Sequence, residues 1–267
     1  MVTADPHDLD LALRLADLAD TITAGAFRGR DLVVETKPDL TPVTDADRDV
    51  EDAVRSELAA RRPADAVIGE ERGSRGAGRR RWIIDPIDGT KNFVRGIPVW
   101  ATLLALEVDG TVEVGVASAP ALGRRWWAGR GLGAVAGVPA APASAATPIR
   151  VSAVADLGDA QVSHASITGW QAVDGIDRLV ALVRRCWRSR GFGDFWSHVL
   201  VAEGGCDIGL DPVVSLWDLA AVEVIVEEAG GRFTDLAGVA RPDGGSAVSS
   251  NGRLHDEALA ILASPRS

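Results

Sequence analysis

Between Ala66 and Trp127 the chain breaks into short apolar runs separated by turn residues: Ala66-Val67-Ile68, Trp82-Ile83-Ile84, Ala101 to Val108, Val112 to Ala119 and Arg125-Trp126-Trp127. Runs of that length bounded by turn residues read as strands, and their succession commits this part of the chain to a sheet. Asp109-Gly110, between the third and fourth runs, reads as a hairpin turn. Ahead of them, Leu11, Leu15, Leu18 and Ile22 recur at helical spacing with Arg14, Asp17 and Asp20 between, which predicts an amphipathic first helix. After a polar loop from Lys37 to Pro42, Thr44-Asp45-Ala46-Asp47 opens a second helix with the apolar face Val50, Val54 and Leu58. Arg61-Arg62-Pro63 ends it.

A stretch rich in Ala, Pro and Ser over residues 137–148 is the expected boundary between an N-terminal lobe, 1–148, and a C-terminal lobe, 149–267. The second lobe mixes strands near 162–166 and 208–210 with helices near 174–183, 195–203 and 215–229, the last stopped by Gly230-Gly231. Hairpin-linked strands followed by alternating elements predict a layered, mixed α/β fold. With 46% hydrophobic residues in a chain of 267, there is ample apolar material for a large core.

The formal net charge of -10 disfavours a nucleic-acid partner. It also means that a phosphorylated substrate needs local positive charge from bound cations. Cys186 and Cys206 form no Cys-x-x-Cys pair, which suits a reducing cytosol. The first ten residues lack the apolar block of a secretory signal, and no run approaches the roughly 18 to 20 apolar residues of a membrane span. The expectation is a cytoplasmic protein with neither membrane nor nucleic-acid partner.

Chemistry concentrates where the run Trp82 to Ile84 ends in Asp85-Pro86-Ile87-Asp88-Gly89-Thr90. Two carboxylates emerge together there, and hard divalent cations such as Mg²⁺ take oxygen ligands from a few carboxylates, water and substrate phosphate. Gly89 and Thr90 offer backbone N–H groups that a phosphate can approach closely. Asp-Pro and Asp-Gly are also ordinary turn chemistry, so this segment alone decides nothing. Glu70 and Glu71 follow another short apolar run, and can be ligands or a solvated turn. Asp218, three residues after Ser215, and Asp47, three after Thr44, fit helix capping, which is compatible with a ligand role because both place the carboxylate at a helix's first turn.

Four ordered motifs resemble those of the inositol monophosphatase-like superfamily of Mg²⁺-dependent, lithium-sensitive phosphatases. They are Lys37 with Thr41-Pro42-Val43-Thr44-Asp45-Ala46-Asp47; Gly69-Glu70-Glu71; Trp82 to Thr90; and Leu216-Trp217-Asp218-Leu219-Ala220-Ala221 with Glu228-Ala229-Gly230-Gly231 behind it. The resemblance implies an α-β-α-β-α layered sandwich of the fructose-1,6-bisphosphatase-like kind, two or three Mg²⁺ ions, and a homodimer. It also implies Glu70, Asp85, Asp88, Asp218 and the Ile87 carbonyl as metal ligands. Asp47 and Thr90 are expected to pair by a hydrogen bond and, with Glu70, to orient and activate water for in-line attack on phosphorus. The N–H groups of Gly89 and Thr90 are expected to hold phosphate oxygens.

Two further segments, Lys91 to Thr102 and Arg190-Gly191-Phe192-Gly193-Asp194-Phe195-Trp196, resemble the bacterial histidinol-phosphate phosphatase branch. That branch implies hydrolysis of L-histidinol phosphate in histidine biosynthesis, and Asn92, Arg190, Asp194 and Asp211 are expected in the substrate pocket, Asp211 where the inositol enzymes use an acid to contact the leaving group and Asp194 where they carry a small neutral residue. Asp194 and Asp211 suit an ammonium and an imidazole, although Asp194 equally fits a cap of the helix beginning near Phe195. Trp170 and Trp196 can stack on the imidazole or fill the core, the commoner role of a Trp. The alternatives are an inositol or broad sugar-phosphate monophosphatase, and a catalytically inactive metal-binding regulator. His7, His164, His198 and His255 lack any paired spacing for zinc, and each reads as structural or exposed. Gly129-Arg130-Gly131-Leu132-Gly133 misses the dinucleotide-binding spacing and reads as a hairpin turn.

Overall fold

The computed structural model describes residues 3–29, 33–36 and 42–263. Of the first phosphatase-like motif, Lys37 and Thr41 lie outside the described residues. The chain opens with helix α1 (Pro6–Ala26), the strand pair β1 (Val34–Thr36) and β2 (Pro42–Thr44), and helix α2 (Asp45–Arg61). Then come β3 (Ala66–Gly69), β4 (Gly73–Arg75), β5 (Arg80–Asp88) and the short α3 (Thr90–Val94). A meander follows: β6 (Ala101–Val108), β7 (Thr111–Ala119), β8 (Arg124–Gly129), β9 (Gly133–Gly137) and β10 (Thr147–Pro148). The remainder is β11 (Gln161–His164), α4 (Ile167–Ala172), α5 (Ile176–Val183), β12 (Arg188–Arg190), α6 (Asp194–Ala202), β13 (Ile208–Asp211), α7 (Leu216–Glu228), β14 (Arg232–Thr234), β15 (Ala247–Ser250) and α8 (His255–Leu262).

The larger sheet runs β10-β9-β8-β7-β6-β5-β3-β4, and the smaller β12-β11-β13-β15-β14. Side chains alternate across a strand, so β5 sends Trp82 and Ile84 to the face covered by α1 and α2 and Ile83 to the face covered by α6 and α7. Trp126 and Trp127 divide the same way. Both faces are buried, which is why these strands read as continuous apolar runs instead of alternating ones. On the far side of the small sheet α5 and α8 close a further core around Leu179, Leu182, Ala258 and Leu262. Helices and sheets thus stack as α-β-α-β-α. The Asp109-Gly110 turn has both residues at positive φ, as a two-residue hairpin with a primed turn requires.

Helix α7 lies between the two sheets and is buried without interruption from Leu219 to Val226. It sits so close to β7 that a Cβ on Gly115 would fall 2.4 Å from the Ala221 carbonyl oxygen. Backbone cannot step aside as a flexible side chain does. Gly115→Ala is therefore expected to lower the melting temperature by about 5 °C or more, the cost of overpacking a core this size. A thermal melt equal to that of the parent chain would show that α7 can shift.

Candidate metal centre and adjoining pocket

Asp85 and Asp88 are three residues apart, and on a regular strand they would point to opposite faces. The ladder between β5 and β6 shows why they do not: Asp85 pairs with Leu103 but Asp88 with Ala101, so β5 carries one extra residue. This bulge returns both carboxylates to one side. The Thr102 hydroxyl pins it, donating to the Pro86 carbonyl at 2.8 Å. β3 runs parallel to β5 with Gly69 opposite Ile84, so the residue after each strand emerges at the same end, and Glu70 N–H donates to the Ile84 carbonyl at 3.2 Å. Behind that turn the buried Glu51 carboxylate accepts from the N–H groups of Glu71 and Arg72 at 2.7 and 3.1 Å. Asp218 enters from the first turn of α7, its Oδ2 accepting from Ser215 N–H at 2.6 Å. Capping and convergence are therefore combined in one side chain.

Oxygens of Asp85, Asp88 and Asp218 all lie within 4.8 Å of one another. Burial raises the Asp85 carboxyl well above the usual range, and the charges of Glu70, Asp88 and Asp218 add to it. Asp88 is raised likewise, by burial and then by Asp194 and Asp218, against a hydrogen bond from Phe195 N–H at 2.7 Å. Asp218 is pushed up to about 7, mainly by burial. Asp85 Oδ1 is buried with no hydrogen-bond partner. Crowded, mutually repelling, incompletely satisfied carboxylate oxygens fit a hard divalent cation, which removes the repulsion and occupies the vacant lone pairs.

The centre opens into a cavity of about 480 Å³ lined by Glu70, Asp88, Gly89, Thr90, Lys91, Asp194, His198, Asp211, Trp217 and Asp218 among others. Gly89 precedes α3 at φ +81°, a conformation glycine adopts without strain, and a Cβ there would lie 3.0 Å from the Val99 carbonyl oxygen. Asp194 begins α6 at φ +51°, uncommon for a residue with a side chain. It caps nothing; its carboxylate lines the cavity and is raised to about 6 by burial and Asp211, opposed by Lys91 and His198. Asp211, at the end of β13, is buried in the same wall.

Three sequence expectations need correction. Thr90 and Asp47 do not pair: the Thr90 hydroxyl donates to the Ile87 carbonyl at 2.9 Å. Asp47 Oδ2 is instead occupied by the N–H and hydroxyl of Thr44 in the capping box of α2. Asp47 Oδ1 stays buried without a partner, and burial raises this carboxyl to about 6. Asn92 does not line the cavity but turns inward, its Nδ2 donating to the Val99 carbonyl at 2.8 Å and reaching Asp194 Oδ2 at 3.4 Å. Arg190 is on β12, an edge strand, where its side chain is exposed outside the cavity and donates to the Ser189 carbonyl at 2.7 Å.

Neither indole named for stacking lines the cavity. Trp170 is buried in the outer core and Trp196 packs on Phe192 with ring centroids 4.9 Å apart. Trp217, beside Asp218, lines the wall instead. His198, which sequence alone reads as structural or exposed, is buried, and its Nε2 lies 2.9 Å from Asp211 Oδ2. No sequence spacing announces that contact, because it joins a helix to a strand.

The chain matches the inositol monophosphatase family over residues 7–265. Histidinol-phosphatase of Mycobacterium tuberculosis is 57% identical to it, over 96% of this chain and 97% of that protein. Histidinol-phosphatase of Streptomyces coelicolor is 51% identical over 96% of each. A solved inositol monophosphatase of Thermotoga maritima superposes with a TM-score of 0.84 at 32% identity, covering 96% of both chains.

Proposed function

Because this chain belongs to the inositol monophosphatase family, and is thus a phosphoric monoester hydrolase, we propose that its substrate is L-histidinol phosphate, cleaved to L-histidinol and phosphate in histidine biosynthesis. The observation that carries this reading is the second pair of acids, Asp194 and Asp211, in the cavity wall beyond the metal centre. A polyol hydroxyl can donate to one such acid, but a second buried carboxylate, Asp194, beside an already anionic site gains little from a neutral substrate. An ammonium and an imidazole suit both, through charge-assisted hydrogen bonds. The names of the relatives at 57% and 51% identity point the same way.

Glu70, Asp85, Asp88 and Asp218, with the Ile87 carbonyl, would hold two or three Mg²⁺ ions. Magnesium bound there supplies positive charge that offsets the phosphate's and polarises phosphoryl oxygen and water. The chain's own residues do the remaining work. The N–H groups of Gly89 and Thr90 receive phosphate oxygens at the start of α3, where the glycine keeps side-chain bulk away. With its proton given to the Ile87 carbonyl, Thr90 Oγ1 keeps lone pairs to accept a hydrogen bond from the attacking water, Glu70 takes that water's proton, and the departing histidinol oxygen gains one from solvent. Asp194 and Asp211 bind the amine-bearing end, and Asn92 keeps Asp194 in place. We read residues 1–148 and 149–267 as two lobes, the second bringing Asp218 and the amine-binding pair to carboxylates carried by the first. The working form in this reading is a cytoplasmic homodimer.

The test is kcat/KM for L-histidinol phosphate against myo-inositol 1-phosphate at saturating Mg²⁺. A preference of about a hundredfold or more is expected, since the neutral leaving group offers the two pocket acids hydroxyl donors but no positive charge. Equal or reversed preference would reject the substrate while leaving the phosphatase chemistry intact.

A further inference from the structure

Asp211 is held from behind by a chain of groups that the hydrolytic chemistry does not use. His198 on α6 is 1% exposed, its Nε2 is 2.9 Å from Asp211 Oδ2, and its Nδ1 is 2.8 Å from Ser249 Oγ. A carboxylate only accepts, so Nε2 carries a proton, and in the neutral ring Nδ1 then accepts from the Ser249 hydroxyl. Ser249 lies on β15 directly opposite Gly209 of β13. A Cβ on Gly209 would fall 2.6 Å from Ser249 Oγ, so the hydroxyl occupies space that only glycine leaves open. The Phe233 ring flanks the imidazole with centroids 5.7 Å apart. Three strands, β13, β14 and β15, thus combine to fix one ring carried by α6.

Resting on the substrate reading above, we propose that His198 is a positioning residue for substrate selection: it locks Asp211 so that one carboxylate oxygen is spent on the imidazole and the other faces the substrate's cationic end, with Ser249 and Gly209 setting the ring's tautomer and place. The physical need is plain from the surroundings. Asp194 and Asp88 crowd the same wall, and like charges push the Asp211 carboxylate away from them. The imidazole N–H behind Asp211 opposes that push. Without it, the carboxylate turns from the cavity, and the part of the substrate that loses is the amine-bearing end, not the phosphate.

The experiment compares wild type, His198→Leu, His198→Gln and Ser249→Ala with saturating Mg²⁺, taking kcat and KM for L-histidinol phosphate and for β-glycerophosphate, which carries no cation. In His198→Leu the ratio of the two kcat/KM values is expected to fall about thirtyfold, chiefly through KM for the histidinol ester, as for other losses of a buried supporting hydrogen bond. His198→Gln, whose amide N–H can reach Asp211, should recover most of that ratio. Equal losses on both esters, or a Gln variant no better than Leu, would mean that His198 only fills the core and would overturn the proposal. Ser249→Ala keeps the ring and removes its Nδ1 partner, so it decides the matter if the Leu variant does not fold: a lowered ratio supports the proposal and an unchanged one overturns it. A wild-type ratio near one is a different failure, visible before any variant is compared, and it would overturn the substrate reading itself.

Discussion

Replacing Asp88 with asparagine is expected to lower kcat by about a thousandfold or more, the several kcal/mol that a cation's charge contributes at a phosphoryl centre, while the fold survives. The substitution keeps shape and keeps an oxygen to accept from Phe195 N–H, the one hydrogen bond Asp88 makes to the start of α6. What it removes is one negative charge from a buried group of acids. Metal-free Asp88→Asn should therefore melt no lower than the metal-free parent, and above pH 7 somewhat higher. A variant that retains turnover within about tenfold would remove Asp88 from the metal-binding set.

Chelation and pH should act on the same group of acids. The unfolded chain releases its aspartate protons near the ordinary carboxylate range, whereas the metal-free fold holds them on Asp85 and Asp88 to well above it and on Asp218 to about 7. The folded state thus binds more protons than the unfolded one from about pH 4 upward, and stability in EDTA falls as pH rises through that window. Divalent cations need the ionised form, so they displace those protons. Saturating Mg²⁺ is expected to raise the melting temperature by about 5 to 10 °C at pH 8 and by much less at pH 5, with proton release measurable by calorimetry in buffers of different ionisation enthalpy. An equal shift at both pH values would mean that the carboxylates are already ionised in the metal-free protein.

Local chemistry made much of this molecule readable. α1 and α2 follow from their apolar spacing, Thr44 and Asp47 cap α2 as a Thr-x-x-Asp run suggests, and Gly129 to Gly133 form the turn of a hairpin. β12 and β14, Arg-Ser-Arg and Arg-Phe-Thr, went unread because neither offers an apolar run, and so did β15. β15 buries Ser249 and Ser250 where alternation would call for apolar residues. Those serines hold His198 and His255, a reason that exists only after the strands have paired. Arg190 and Asn92 failed as pocket residues for a related cause: motif neighbourhood locates the segment, while strand register and helix phase decide where a side chain points.

The unbroken burial of α7 bears on which ions this centre admits. A helix with one wet face can roll or slide a little to suit a ligand, but α7 is gripped along Leu219 to Val226 and seated backbone to backbone on Gly115. The gap between Asp218 and the β5 carboxylates is thus set by hydrocarbon packing before any ion arrives. If the centre holds Mg²⁺ as proposed, larger cations such as Ca²⁺, whose oxygen distances run about 0.3 Å or more beyond those of Mg²⁺, are expected to fit less well, because a core helix cannot back away from its sheet to suit them. Any discrimination by ionic radius would in this sense be a property of alanines and a glycine in the packed core.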